Sequence, residues 1–251
     1  MTDPVRILLI EDNPADARLI EEMLIATPAG AYSLSMARQL TAGVEKLEQE
    51  DFDVLLLDLS LPDSLGIDSV NRVIEKADQT AVIVLTGLDD EAVAVEALRL
   101  GVQDYLVKGK VDLDTLDRAI RYAVERNLAD QELRISEALY RTLFENAGMA
   151  ISYFSPEGDV ISLNQLAAQY LGGTPDSFTG KNLKELVGEA EGDKYIGRIR
   201  QCLEEDLVFD FEDQVVLPAE KKWFQNSFTP MKDPNQNPIG VQTVSYTHLT
   251  L

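Results

Sequence analysis

The chain has 251 residues, 45% of them hydrophobic, and a formal net charge of −22. That apolar content suits one large or two ordinary folded domains rather than a disordered chain, and the charge would repel phosphate backbones and anionic lipid. The single cysteine, Cys202, excludes an internal disulfide; the N-terminus lacks the basic flank of a secretory signal, and no apolar run reaches the roughly 18 residues of a membrane span. A cytoplasmic protein with protein partners is expected, with no direct nucleic acid and no membrane insertion.

Up to about residue 110, short apolar runs alternate with stretches of helical period. The runs are Val5–Ile10, Tyr32–Met36, Val54–Leu57, Ala81–Leu85 and Gln103–Val107. Three of them (VRILLI, DVLLLD, AVIVLT) are apolar almost throughout, as strands covered on both faces must be. Asn13-Pro14 opens one helix, with Arg18, Glu21 and Glu22 toward solvent and Ala17, Ile20, Met23 and Leu24 opposite. Leu40, Val44 and Leu47 recur at helical spacing, as do Ala94, Val95 and Leu98, with Asp89 or Asp90 opening that helix and Gly101 closing it. Five strands alternating with five helices predict an open α/β parallel sheet, doubly wound with right-handed crossovers.

Residues 113–147 contain helix formers and no proline or glycine. Leu113, Leu116, Ile120, Val124, Leu128, Ile135 and Leu139 keep a helical period, interrupted near Asp130–Glu132, which argues against a perfect coiled coil. The part up to Val124 can pack on the sheet; Leu128 to Leu139 has no core to enter. This segment is predicted to project and pair with a second copy or with the second domain.

Strand-like periodicity returns after residue 149. AISYFSPEGDVISLN predicts a hairpin, Asn164 caps the helix QLAAQYLG, and a further helix spans Asp193–Glu204. Strands are predicted over Leu207–Leu217, Lys222–Pro230 and Pro238–Ser245, giving an antiparallel sheet with helices to one side. Trp223, Phe224 and Phe228 are read as sheet core, and Cys202 as a small buried hydrophobe.

In an open parallel sheet, ligands sit beyond the carboxyl ends of the strands. Glu11-Asp12, Asp58, Thr86-Gly87 and Lys108-Gly109 follow four of the predicted strands. Singly, each is better read as a turn residue or a solvated lysine. Together they set three carboxylates, a hydroxyl and an ammonium at one edge. Clustered carboxylates repel one another, and the oxygen-only donor set suits Mg²⁺.

Glu11-Asp12, Asp58, Thr86 and Lys108, with LPDSLG after the central Asp, resemble the receiver domain of bacterial response regulators over residues 4–128. The resemblance implies the flavodoxin-like strand order 2-1-3-4-5. It implies that Asp58 accepts a phosphoryl group from a phosphohistidine on a histidine kinase or phosphotransfer protein. Mg²⁺ would be held by Glu11, Asp12, Asp58 and the backbone carbonyl of Ser60. Lys108 would pair with Asp58 and then with a phosphoryl oxygen, and Thr86 would hydrogen-bond another, with Thr86 and Tyr105 moving as a switch. The sequence departs from the family's commonest form at Glu11 for Asp, at Gly87 where Ala is frequent, and at Gly109 where a Pro, with its cis peptide, is common.

Residues 136–246 resemble a PAS domain, on ALYRTLFENAGMAISYFSPEGDVISLNQLAAQYLG, GKNLKELV and KWFQNSFTPMKDPNQNPIGVQTVSY. This implies an α+β fold with a five-stranded antiparallel sheet, helices over one face and, in some members, a ligand pocket. The sequence carries neither an internal haem-ligating His nor a flavin-adduct Cys signature, so the PAS ligand is unknown and a signal-transmitting or dimerising module is expected. The resulting layout is a receiver over 1–128, a connector helix over 129–145, a PAS domain over 146–246 and an atypical tail over 247–251, where His248 carries no function and the sequence reads as truncated. The expected function is phosphorelay signalling through a homodimer formed by the connector and PAS domain. The alternative is the N-terminal regulatory part of a histidine kinase or diguanylate cyclase.

Overall fold

The computed structural model describes residues 3–28, 30–77, 79–87, 91–216 and 221–247. The chain divides into two compact units, residues 1–135 and 136–251. Asp89, Asp90, Leu217 and His248, which the sequence reading singled out, lie outside the described residues.

In the first unit the elements are β1 (Val5–Ile10), α1 (Pro14–Ile25), β2 (Tyr32–Ala37), α2 (Leu40–Gln49), β3 (Val54–Asp58), β4 (Ser60–Leu61), β5 (Ser64–Leu65), α3 (Ile67–Ile74), β6 (Ala81–Thr86), α4 (Glu91–Arg99) and β7 (Asp104–Val107). The main sheet is parallel in the order β2-β1-β3-β6-β7. Apart from the two-residue ribbon β4–β5, this is the expected order 2-1-3-4-5. Strand alternation explains the continuous apolar runs. Leu8, Ile10, Leu55, Leu57, Val82 and Val84 pack toward α2, α3 and α4. Ile7, Leu9, Val54, Leu56, Ile83 and Leu85 pack toward α1 and the helix that follows β7. Burial of each such leucine or isoleucine is worth about 2 kcal/mol.

Asn13 Oδ1 accepts from the Ala15 N–H at 2.9 Å, and Pro14 occupies the first turn of α1, so this helix starts as expected. Helix α2 is capped from a distance. Gln39 at its N-cap makes no side-chain bond; instead the Leu40 and Thr41 N–H groups donate to Asp63 Oδ1 and Oδ2, each at 2.9 Å. Burial pushes the Asp63 carboxyl up, but these donors and the Thr41 hydroxyl outweigh it and hold it below its ordinary value. In α4 the sequence reading holds at Ala94 and needs correction at Val95 and Leu98. Ala94 and Ala97 are fully buried, whereas Val95 and Leu98 are exposed, because the small alanines let the helix lie close to the sheet.

Helix α5 (Leu113–Glu145) is a single 33-residue element. Leu116, Ala119, Ile120 and Ala123 enter the core of the first unit. Asn127 Nδ2 and Gln131 Nε2, one turn apart, both donate to the Gln79 carbonyl at 2.9 and 3.1 Å. Leu128, Leu133, Ile135, Leu139 and Leu143 are exposed.

The second unit contains the end of α5, then β8 (Ala150–Phe154), β9 (Val160–Leu163), α6 (Gln165–Tyr170), α7 (Pro175–Phe178), α8 (Leu183–Val187), α9 (Glu189–Glu205), β10 (Phe209–Val216), β11 (Lys221–Lys232) and β12 (Pro238–Thr247). Its antiparallel sheet runs β10-β11-β12-β8-β9. Asn164 caps α6 as predicted and does more. Its Oδ1 accepts from Ala167 N and Ile151 N, and its Nδ2 donates to the Phe144 and Met149 carbonyls at 2.9 and 2.8 Å. The end of α5 is thereby tied to the hairpin, with Phe144 stacked on Tyr153. Phe224, Phe228 and Cys202 are buried as expected, but Trp223 is 50% exposed. The period of two along β11 sends 224, 226 and 228 inward and therefore 223 outward.

Among the described residues, no helix is long and apolar enough to cross a membrane.

Candidate functional site

Because β1, β3, β6 and β7 run parallel, their carboxyl ends share one edge. Glu11 and Asp12 follow β1, Asp58 is the last residue of β3, Thr86 the last of β6, and Lys108 follows β7. Glu11 and Asp58 are each only 2% exposed and Thr86 is fully buried, whereas Asp12 is exposed. One carboxylate oxygen from each of Glu11, Asp12 and Asp58 lies within 4.8 Å of the others. Lys108 Nζ stands 2.6 Å from Glu11 Oε2 and 2.9 Å from Asp58 Oδ2.

The electrostatics follow from burial. Desolvation opposes the Lys108 charge, but the Glu11 and Asp58 carboxylates outweigh it and push the ammonium above its ordinary range. Desolvation, reinforced by the like charge of Asp58, raises the Glu11 carboxyl despite its pairing with Lys108. The pocket thus holds more negative charge than its lysine balances. Three oxygen donors with surplus negative charge are the donor set of a hard divalent cation such as Mg²⁺.

The remaining predicted residues make contacts of different kinds. The Ser60 N–H donates to Asp58 Oδ1 at 3.2 Å, so Ser60 touches Asp58 through its N–H, where its carbonyl was the expected ligand. Thr86 Oγ1 donates to the Gly87 carbonyl at 3.1 Å. Tyr105 is half-buried against the core beneath α2, α3 and α4. Gly109 takes φ +80°, and no cis peptide bond occurs among the described residues. After Asp58 the chain folds back through β4 and β5, and Gly66 turns it into α3 with φ +56°.

Two features escaped the sequence reading. Asp16, in the first turn of α1, has its Oδ2 3.4 Å from Lys108 Nζ; only the acidic first turn after Asn13-Pro14 hinted at it. The other lies in the second unit, where the Asp213 carboxylate of β10 is gripped by Arg198 through Nη1 and Nη2, by Lys194 at 2.8 Å and by Asn226 Nδ2 at 3.2 Å. Burial pushes the Asp213 carboxyl up, but Arg198 and Lys194 outweigh it and hold it at about 2. The signal was an acid at an inward position of a strand, facing two cations one helical turn apart. Asn226, steadied by the Ser245 hydroxyl at 2.6 Å, also lines a cavity of about 130 Å³ with Ala150, Phe154, Tyr170, Phe224 and Thr243. Among the described residues, no charged side chain lines it. Its size is near that of an engineered apolar cavity of about 150 Å³ that holds benzene.

Comparison with known proteins agrees with both halves. Residues 7–121 match the response regulator receiver domain, and residues 144–248 match the PAS fold. The cell cycle transcriptional regulator CtrA of Caulobacter vibrioides is 34% identical over 104 residues, covering 41% of this chain and 44% of that protein. The acid tolerance regulatory protein ActR of Rhizobium meliloti is 32% identical over 123 residues, covering 49% of this chain and 62% of that protein. The chain thus spans roughly half the length of these relatives. The crystal structure of a response regulator receiver domain protein from Clostridium thermocellum is 27% identical, with a TM-score of 0.45, covering 50% of this chain and 98% of that one.

Proposed function

Since this chain is a signalling protein made of a response regulator receiver domain followed by a PAS fold, we propose that its receiver is a phosphorylated switch with Asp58 as the acceptor. The observation that carries this reading is the buried Asp58 carboxylate beside Lys108 and within the oxygen cluster of Glu11 and Asp12. The donor is a phosphohistidine of a histidine kinase or phosphotransfer protein, in the cytoplasm. An Asp58 oxygen attacks the phosphorus, the P–N bond breaks, and the imidazole leaves. An aspartate attacks poorly at a phosphorus ringed by anionic oxygens, so neutralisation is the main catalytic need. A Mg²⁺ held by Glu11, Asp12, Asp58 and the Ser60 carbonyl would supply part of it. Lys108 supplies the rest by transferring its ammonium from Asp58 to a phosphoryl oxygen, and Thr86 gives up the Gly87 carbonyl to donate to another. The space Thr86 leaves is filled by Tyr105, which changes the face made by α4, β7 and α5.

In this reading residues 1–128 receive the phosphoryl group, 129–145 connect, and 146–246 form a PAS sensor or dimerisation module. Leu128, Ile135 and Leu139, spaced seven and four residues apart on α5 and all exposed, support a homodimer through residues 116–143. A monomer at high concentration in light scattering would overturn that part. The site is tested by incubating the chain with acetyl phosphate and Mg²⁺ and measuring intact mass. One phosphoryl adduct is expected, absent in Asp58→Asn and without Mg²⁺; an adduct that persists in Asp58→Asn sinks the assignment.

A further inference from the structure

Lys108 makes three anionic contacts, and they differ in kind. Glu11 and Asp58 belong to the buried oxygen cluster, and Asp58 is also the group that reacts. Asp16 belongs to neither category. It is partly exposed on the first turn of α1, outside the oxygen cluster, with its Oδ2 3.4 Å from Lys108 Nζ.

Asp16 is also held. Asn13 Nδ2 donates to Asp16 Oδ2 at 3.2 Å, while the Asn13 N–H donates to Glu11 Oε1 at 3.1 Å. Glu11, Asn13, Asp16 and Lys108 thereby close a ring of contacts, with Glu11 Oε2 meeting Lys108 on the other side. The Asn13 oxygen is spent capping α1, so its amide points at Asp16 with a fixed geometry.

We propose that Asp16 is the positioning residue of Lys108. This rests on the reading of the acidic pocket given above. Once Glu11 and Asp58 turn their charge to a divalent cation, Lys108 loses the pull of two of its three partners. Asp16 keeps its charge for the ammonium and holds it over Asp58, where the phosphoryl oxygens arrive. Without Asp16 the lysine side chain, itself partly exposed, swings into solvent before transfer. In the cation-free protein Asp16 is dispensable, because Glu11 and Asp58 suffice.

The test compares the full chain with Asp16→Asn and Asp16→Glu. The first readout is the ¹⁵N NMR signal of the Lys108 ammonium, assigned by its loss in Lys108→Arg. The signal is expected in both wild type and Asp16→Asn without metal. With saturating Mg²⁺ it should persist in wild type, vanish in Asp16→Asn and return in Asp16→Glu. The second readout is phosphorylation by acetyl phosphate. Asp16→Asn should lower the maximal rate about two- to fivefold, the range of a solvent-facing ion pair, with the half-saturating donor concentration unchanged. A merely structural role for Asp16 at the start of α1 would lower thermal stability and leave both readouts intact. A Lys108 signal that survives in Mg²⁺-loaded Asp16→Asn, or one missing from Mg²⁺-loaded wild type, overturns the proposal. Absence of any Mg²⁺ response or adduct in wild type would instead bring down the reading of the pocket, and this inference with it.

Discussion

The two units each bury a charge cluster, and the clusters are opposites. In the receiver, Glu11, Asp16 and Asp58 contact Lys108 while Asp12 stands beside Glu11 and Asp58, so anions outnumber the cation. In the PAS fold, Arg198, Lys194 and Asn226 surround Asp213, so donors outnumber the anion. The consequences run in opposite directions: the Glu11 carboxyl is raised and Asp213 is held at about 2. A buried charge that its neighbours satisfy contributes to holding a fold together, whereas surplus charge of one sign leaves a requirement that a ligand can meet. The first cluster carries surplus negative charge that a cation can meet; the second ties helix α9 to the sheet beside the cavity.

The largest effect that would break this contrast is Asp213→Ala. It leaves Arg198 buried without its carboxylate and should destabilise the protein by about 3 kcal/mol, the low end for a broken buried pair because Lys194 reaches solvent. Urea unfolding measures it, and a loss near zero would mean the cluster is ornamental. Addition of Mg²⁺ should act at the other cluster. At a hundredfold excess over its dissociation constant it should stabilise the receiver by about 2.7 kcal/mol. The thermal shift should be absent in Glu11→Gln and undiminished in Asp213→Asn.

The pH dependence sharpens the same point. The folded Asp213 carboxyl, at about 2, lies below its ordinary value of 3.8. Its stabilisation is therefore complete above pH 3.8 and lost as pH falls toward about 2. Acid unfolding of Asp213→Asn should lack that step. The smallest expected effect is Asp12→Asn, which removes one like charge beside Glu11 and Asp58. It should raise the metal-free melting temperature slightly, opposite in sign to any neutralisation of Asp213. A decrease would contradict the surplus of negative charge.

The receiver site was legible because its chemistry lies at strand ends, and strand ends can be located from apolar runs. VLLLD and AVIVLT finish at Asp58 and Thr86, and parallel topology then places both at one edge. The Asp213 cluster was not legible in the same way. Lys194, Arg198, Asp213 and Asn226 come from three elements whose pairing depends on the antiparallel register, in which Asp213 faces Phe224. Trp223 illustrates the local version of this limit, since an aromatic beside Phe224 has the composition of a core residue while the strand's period turns it outward.

By itself, the sequence determined the two fold classes, the parallel order that gathers Glu11, Asp12, Asp58, Thr86 and Lys108, the cap at Asn164, and the continuous helix through residue 145. The sheet classes, the cap and the helix follow from periodicity and short-range capping, which act between residues a few positions apart; the strand order is what the resemblance carried by Glu11-Asp12, Asp58, Thr86 and Lys108 implies. Only the tertiary structure decided that Asp63 caps α2, that Ala94 and Ala97 rather than Val95 and Leu98 face the core, and that Asp16 reaches Lys108. In each of these the partners stand on different elements, and the distance between them is set by how those elements pack.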